Sequence, residues 1–154
     1  MSHLDSAGLL ARYGLNTHKN LGQNFLNDAA VLARIADAAF PLGARGVLEI
    51  GAGTGALTNL LCARAQRVVT VEIDRRLQPL LERQVAAENH RFLWQDILCC
   101  DYEELLNVHF GGAAFTVVGN LPYYITTDIL RQLLKNSRCW NCAVLMVQKE
   151  VADR

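Results

Sequence analysis

The stretch Val47-Leu48-Glu49-Ile50-Gly51-Ala52-Gly53-Thr54-Gly55 decides the fold of this chain. A short, mainly apolar strand pattern runs directly into glycines at every second position, and a helical pattern from Ala56 to Arg64 follows. Glycines at this spacing let a ligand approach the backbone closely and let the chain turn sharply into a helix. The stretch therefore predicts a strand, a ligand-binding loop and a helix in succession.

Two acidic residues end later strand patterns. Glu72 follows Val68–Val71, about twenty residues after the glycine loop, where such an acid can accept both hydroxyls of a ribose. Asp96 follows Phe92–Gln95 and is placed to bind an adenine amine. The sequence thus predicts a nucleoside site at the carboxyl edge of a parallel sheet. Dinucleotide enzymes and methyltransferases share such a loop, so the glycines alone do not choose between them.

A third strand pattern, Phe115–Gly119, ends in Asn120-Leu121-Pro122-Tyr123. The Asn120 side-chain oxygen and a backbone carbonyl beside Pro122 can each accept a hydrogen bond from an exocyclic amine. Tyr123 can stack on a base, which is worth about 1–3 kcal/mol in nucleic-acid sites. An ordinary strand-end turn is the competing interpretation, because Asn and Pro are turn residues.

Strands and helices alternate with short connections, which indicates an α/β fold with a parallel, doubly wound sheet. The other predicted elements are a helix at Leu4–Tyr13 ended by Gly14, a helix capped by Asp28, helices at Arg75–Asn89, Asp101–Val108 and Thr127–Lys135 (capped by Thr126 or Thr127), and a fifth strand at Ala143–Val147, buried on both faces.

Composition excludes several other functions. The cysteines are five, an odd number, and Cys139-Trp140-Asn141-Cys142 lacks a second pair at zinc-binding spacing, so we expect free thiols and no metal site. The four histidines lie in predicted loops or ends, where solvated surface is the expectation. The chain has no long apolar run and begins with no signal peptide, so we expect a cytoplasmic protein.

An ordered set of motifs resembles one family. The motifs are Lys19-Asn20-Leu21-Gly22-Gln23-Asn24-Phe25-Leu26-Asn27-Asp28, Glu49–Gly55, Val71-Glu72-Ile73-Asp74, Gln95-Asp96-Ile97, Gly119–Tyr124 and Met146–Ala152. Together they resemble the ribosomal RNA adenine N6,N6-dimethyltransferases of the KsgA type, a family that also includes the Erm resistance methyltransferases. The leucine in Asn-Leu-Pro-Tyr points to the branch that acts on RNA.

The resemblance implies S-adenosylmethionine as cofactor and a Rossmann-like methyltransferase fold. The implied cofactor-binding residues are Asn24, Leu26, Gly51, Gly53, Gly55, Glu72, Asp96 and Asn120, and the implied catalytic residues are Asn120, Leu121, Pro122 and Tyr123. The implied reaction is dimethylation of adenosine N6 in small-subunit (16S-type) ribosomal RNA during ribosome biogenesis. A monomer is expected only of the full-length protein. Erm-like methylation of large-subunit ribosomal RNA and a non-catalytic module for RNA binding or ribosome assembly are the alternatives. A nicotinamide oxidoreductase has no use for the Asn120 tetrad.

The resemblance also divides the chain. Residues 1–27 are expected to form an N-terminal helix and a cofactor-covering loop, and residues 28–154 a Rossmann-like domain. In the family this domain continues past the fifth strand into a late aromatic motif and a helical RNA-contacting domain. We therefore expect an N-terminal portion of such an enzyme, truncated after the fifth strand, with weak or no activity by itself. Its formal net charge of zero argues mildly against strong RNA binding by this stretch.

Overall fold

The computed structural model describes residues 5–16, 25–40 and 45–154. In this part of the chain five parallel strands form one sheet, in the order β3-β2-β1-β4-β5. The strands are β1 Gly46–Ile50, β2 Arg67–Val71, β3 His90–Leu93, β4 Phe115–Asn120 and β5 Trp140–Met146. The chain runs outward from β1 to β3 and then crosses to the other side of β1. The reversal between β1 and β4 is where open parallel sheets bind ligands.

Helices cover both faces of this sheet. They are α1 Ser6–Arg12, α2 Ala29–Ala38, α3 Ala56–Cys62, α4 Gln78–Gln84, α5 Tyr102–Glu104, α6 Thr126–Lys135 and α7 Lys149–Ala152. One face packs Leu32 and Leu61 against Val68, and the other packs Tyr102 and Ile129 against the opposite side of the strands. The prediction of a doubly wound α/β sheet is confirmed, with all of β1 buried.

Aspartate side chains fix the start of the first two helices. Asp5 caps α1 by accepting a hydrogen bond of 2.7 Å from Gly8 N–H, and Gly14 follows with a φ of 65°. Asp28 caps α2 through the N–H groups of Ala30 and Val31, as its sequence position predicts. The predicted first residue of α1, Leu4, lies outside the described residues.

Three helix predictions differ in detail from the structure. The helix predicted to reach Asn89 ends at Gln84, because the Asn89 side-chain amide donates to the carbonyls of Cys62 and Ala65 and directs the chain into β3. The second error concerns the cap of α6. Neither Thr126 nor Thr127 caps α6, because both lie inside the helix and the N-cap residue is Ile125. Thr126 is buried, and its hydroxyl donates to the Pro122 carbonyl at 2.9 Å, which closes the preceding turn. The segment predicted as a helix at Asp101–Val108 is one helical turn followed by a π turn, Leu105–His109.

The fifth strand starts earlier than predicted and is half-buried. Among the described residues β4 is its one neighbour, so β5 lies at an edge of the sheet and its side chains are only partly covered. The prediction of burial on both faces was wrong for this reason. Within the described ranges, no helix is long and apolar enough to cross a membrane.

Candidate functional site

Three cavities meet at Asn120, where the carboxyl ends of β1, β2 and β4 come together. The glycine cavity is lined by Phe25, Leu26, Glu49, Gly51, Ala52, Gly53, Glu72, Asn120 and their neighbours. The Asp96 cavity is lined by Gly51, Glu72, Ile73, Gln95, Asp96, Asn120, Pro122, Tyr124 and their neighbours. The Met146 cavity is lined by Phe25, Leu26, Asn120, Leu121, Met146, Val147 and Gln148. Residues far apart in sequence therefore surround one continuous region.

The glycine loop needs its glycines for both backbone conformation and space. Gly53 has a φ of 56°, and a Cβ added there would lie 3.1 Å from the Phe25 ring. Gly55 has a φ of 86°, and its Cβ would lie 2.8 Å from a Val85 methyl. Residues that carry a side chain rarely adopt such φ values. The bare backbone consequently forms one wall of the glycine cavity, beneath an aromatic ring.

Glu72 is buried at the end of β2 and holds the loop. Its Oε2 accepts a hydrogen bond of 2.8 Å from Ala52 N–H, and its Oε1 accepts one of 2.9 Å from Asp74 N–H. Burial raises the pKa of this carboxyl, whereas backbone hydrogen bonds with Asp74, Ala52 and Gly53 lower it. An ionised carboxylate offers about four acceptor positions, so Glu72 retains capacity for a ligand hydroxyl.

Glu49 belongs to the site, although the sequence analysis did not select it. It is fully buried in β1, and its Oε2 accepts hydrogen bonds from the hydroxyls of Thr58 at 2.7 Å and Thr70 at 2.8 Å. Its Oε1 has no partner among the described residues. Burial raises the pKa of Glu49 to about 7. The sequence contains a signal that could have identified Glu49: it is an acid within an otherwise apolar strand, and buried acids are rare unless they are paired.

Asp96 follows the end of β3 by three residues and lines the Asp96 cavity. Its Oδ1 accepts a hydrogen bond of 2.9 Å from Leu98 N–H and caps the short turn Ile97–Cys99. Tyr124, which the sequence analysis did not select, lines the same cavity. This end of the site combines a carboxylate with flat and apolar side chains, a combination that suits a base with an amine.

The tetrad at the end of β4 is held by neighbouring elements. Leu121 is buried, and its N–H donates to the Met146 carbonyl at 3.0 Å. Tyr123 is 55% exposed and meets Tyr124 edge-on, with ring centroids 5.8 Å apart. A fixed Asn120 and Leu121 therefore stand next to an aromatic ring that is open to solvent.

Leu26 and Asn24 are two further residues that the sequence predicts to bind the cofactor. Leu26 is half-buried and lines both the glycine cavity and the Met146 cavity. Asn24, predicted to bind the cofactor beside it, lies outside the described residues. In the part of the chain that the structure describes, no group of three His, Cys, Asp or Glu side chains is arranged to hold a metal, and the cysteines are free.

The fold is that of the S-adenosylmethionine-dependent methyltransferases. The structure resembles that of the 23S rRNA methyltransferase ErmE, with a TM-score of 0.69 and 33% identity over 84% of this chain and 50% of that one. It also resembles a dimethyladenosine transferase from Plasmodium falciparum, with a TM-score of 0.71 and 30% identity over 85% of this chain and 46% of that one.

The chain belongs to the ribosomal RNA adenine dimethylase family, whose model matches residues 14–154. It is 47% identical over 148 residues to the ribosomal RNA small subunit methyltransferase A of Geobacillus thermodenitrificans, covering 95% of this chain and 50% of the relative. The corresponding protein of Bacillus pumilus is 43% identical, with 51% of it covered. The chain thus spans about half the length of these curated relatives.

Proposed function

We propose that this chain binds S-adenosylmethionine and serves in the transfer of methyl groups to N6 of adenosine in small-subunit ribosomal RNA. The observation that carries the proposal is the position of Asn120, which lines the glycine cavity, the Asp96 cavity and the Met146 cavity together. A residue at this junction can contact a cofactor on one side and an acceptor amine on the other.

The residues around the first two cavities fit the cofactor. Asp96 would accept a hydrogen bond from the adenine amine, and Glu72 would accept from the ribose hydroxyls with the acceptor positions that Ala52 and Asp74 leave open. The bare backbone of Gly51 and Gly53 would adjoin the amino-acid portion, with Leu26 beside it. We also assign Asn24 and Gly55 to this set from the family motif.

Glu49 supplies an additional argument for a cationic ligand. Its Oε1 is fully buried, lacks a partner among the described residues and belongs to a side chain that lines the glycine cavity. Leaving a buried carboxylate oxygen without a hydrogen bond is costly, so a donor from a ligand would be favourable. The ammonium group of the cofactor's amino-acid portion has the required charge and protons.

Asn120 and Leu121 would act on the acceptor. The Asn120 side-chain oxygen and the Leu121 carbonyl can accept hydrogen bonds from the two amine hydrogens of adenine. This arrangement favours a pyramidal nitrogen and directs its lone pair toward the methyl group. When bound, the cofactor supplies an activated methyl group on a sulfonium. No strong base is required, because the amine becomes acidic as it is methylated and its proton leaves late.

Positioning would provide most of the rate enhancement. Correct alignment of two reactants can contribute about 7–11 kcal/mol. The target base must leave its stack, which costs a few kcal/mol, and stacking on Tyr123 would return about 1–3 kcal/mol of that. Pro122 would fix the turn that presents Tyr123 to the base. A second methyl transfer requires that the site still accept an amine with one hydrogen left.

The choice of small-subunit ribosomal RNA rests on sequence similarity. The relatives named small subunit methyltransferase A are 43–47% identical to this chain, whereas the 23S rRNA methyltransferase ErmE is 33% identical. We therefore prefer ribosome biogenesis to an Erm-like role. We further propose that residues 1–27 form an N-terminal helix and a cofactor-covering loop beside the Rossmann-like domain at 28–154, and that the full-length protein acts as a monomer.

Two measurements test the proposal. Calorimetry should detect S-adenosylhomocysteine binding and no preference for NAD, and tight binding of NAD alone would refute the cofactor assignment. Labelled methyl transfer to unmethylated small subunits, compared with large subunits, tests the acceptor in a longer protein that contains this chain. Selective labelling of the large subunit would instead support the Erm-like alternative.

A further inference from the structure

A continuous chain of hydrogen bonds links the glycine cavity to the edge of the sheet. Thr70 lies opposite Glu49 in the register of β1 and β2, and its hydroxyl donates to Glu49 Oε2 at 2.8 Å. The same hydroxyl lies 2.7 Å from Nε2 of His90, the first residue of β3. Three adjacent strands therefore each contribute one polar group. His90, expected from the sequence to be solvated surface, is half-buried and bonded to Thr70.

The single proton of the Thr70 hydroxyl gives this chain a direction. When Glu49 is ionised it can only accept, so Thr70 must donate to it. Thr70 then has to accept from His90, and the proton on the imidazole must lie on Nε2. The opposite direction, in which Thr70 donates to His90, requires a proton on Glu49 Oε2. The tautomer of His90 is thus tied to the ionisation of Glu49.

We propose that His90 is a positioning residue, which acts through Thr70 to hold Glu49 as a carboxylate that receives a cationic group of the ligand. This inference rests on the proposed cofactor binding and extends it to a residue outside the cavity lining. A donated hydrogen bond polarises the accepting hydroxyl and makes it a better donor in turn. Donation from His90 therefore strengthens the hydrogen bond that stabilises the ionised form of Glu49.

The surroundings keep His90 neutral while Glu49 titrates. Burial and, to a smaller extent, the positive charge of the nearby Arg67 lower the pKa of His90 to about 4. The Phe92 ring packs edge-on against the imidazole, with centroids 4.3 Å apart. On the other side, burial and the neighbouring Glu72 raise the pKa of Glu49, while Thr58 and Thr70 lower it, and Cys62 is also close to Glu49. Near neutral pH, Glu49 is consequently the member that changes charge.

The test follows S-adenosylhomocysteine affinity by calorimetry between pH 5.5 and 8.5. We expect affinity to increase as pH rises through about 7, the pKa of Glu49. In His90→Phe the midpoint should move to higher pH, with affinity at pH 7 reduced about fivefold, the factor of one ordinary hydrogen bond. His90→Gln, whose amide can donate to Thr70, should restore the wild-type profile. His109→Gln is the matched control, because burial and Arg67 also lower the pKa of His109, which lies outside the hydrogen-bond chain formed by Glu49, Thr70 and His90.

A double-variant comparison separates positioning from general stability. In a Thr70→Val background, His90→Phe should cause no additional shift of the midpoint, because the connecting hydroxyl is absent. An equal shift in both backgrounds would overturn the inference, as would an unchanged midpoint in His90→Phe alone.

The wild-type chain provides a second measurement that needs no variant. Long-range ¹H–¹⁵N spectra at pH 8.5 should show the His90 proton on Nε2, both with and without S-adenosylhomocysteine. A proton on Nδ1 under these conditions would overturn the inference even if ligand binding is normal. Absence of ligand binding at every pH, with the Nε2 tautomer present, would refute the proposed function and the ligand role of Glu49 while leaving the hydrogen-bond chain intact.

Discussion

Glu72 Oε2 accepts a hydrogen bond of 2.8 Å from the backbone N–H of Ala52. The acid that ends β2 therefore fixes the loop that follows β1, twenty residues earlier in the chain. One carboxylate consequently shapes the glycine cavity and, in the proposed function, binds the ribose. Changes at Glu72 are expected to act on both.

Replacing Glu72 should weaken ligand binding. We expect Glu72→Ala to reduce S-adenosylhomocysteine affinity by about 1–3 kcal/mol, the range for a lost hydrogen bond to a charged group. Calorimetry measures this directly. Glu88→Gln, at an exposed acid in the segment before β3, is the control and should bind normally. Wild-type affinity in Glu72→Ala would remove Glu72 from the ribose role.

Gly53 provides a test of the contact with Phe25. Gly53→Ala should destabilise the chain by more than the roughly 1–2 kcal/mol that a left-handed backbone costs a side chain, because the new methyl group meets the Phe25 ring. Gly111→Ala is the matched control, since Gly111 has a φ of 62° and nothing within 4 Å of the added Cβ. Urea unfolding compares the two.

Removal of the Phe25 ring tests whether the contact with this ring causes the difference. Phe25→Ala should reduce the difference between Gly53→Ala and Gly111→Ala, because the space taken by the ring is then available. A difference that persists in the Phe25→Ala background would mean that the cost arises elsewhere in the loop.

Asn120 should matter for the methyl transfer itself. In a longer protein that contains this chain, we expect Asn120→Ala to abolish most turnover and to leave cofactor affinity largely intact, because its proposed contacts strengthen in the transition state. Tyr123→Ala should impair turnover through lost stacking, and Tyr123→Phe should do so much less. Equal losses of turnover and cofactor affinity in Asn120→Ala would make Asn120 chiefly a cofactor ligand.

Glu49 should make stability depend on pH. The pKa of Glu49 is about 7 in the folded chain, against an ordinary value of 4.5. Its contribution to the free energy of unfolding is therefore fully present below pH 4.5 and is lost as pH rises through about 7. Glutamine does not titrate, so Glu49→Gln does not lose stability over this pH range. The free energy of unfolding of the variant, relative to wild type, should therefore increase between about pH 4.5 and 7. Urea unfolding at several pH values would detect it, and a constant difference would contradict the prediction.

The sequence predicted the elements whose signals are local. The glycine loop, Glu72, Asp96 and Asn120 each follow an apolar strand, and parallel strands bring their carboxyl ends to one edge, so their convergence followed from the pattern. The structure does bring them around joined cavities. Their individual ligand roles stay predictions.

Features that depend on distant partners were missed. The Asn89 amide shortens α4 because it bonds to the carbonyls of Cys62, the last residue of α3, and of Ala65, and no local pattern reports such contacts. His90 looked like a loop residue because its partner, Thr70, lies on another strand. Glu49 was passed over as part of a strand, and its importance becomes visible only when its unpartnered oxygen and the cavity are seen together.

The pairing of β1 with β4 has a consequence for synthesis on the ribosome. Ile50 and Gly119 are partners in this pair, although 69 residues separate them, whereas β1, β2 and β3 pair in the order in which they are made. A nascent chain can therefore assemble the glycine loop and Glu72 before Phe115 has emerged. It cannot enclose a ligand until β4 inserts beside β1 and delivers Asn120. In the proposed function, ligand capture would accordingly be a late event, stabilising only chains whose central strand already has both neighbours.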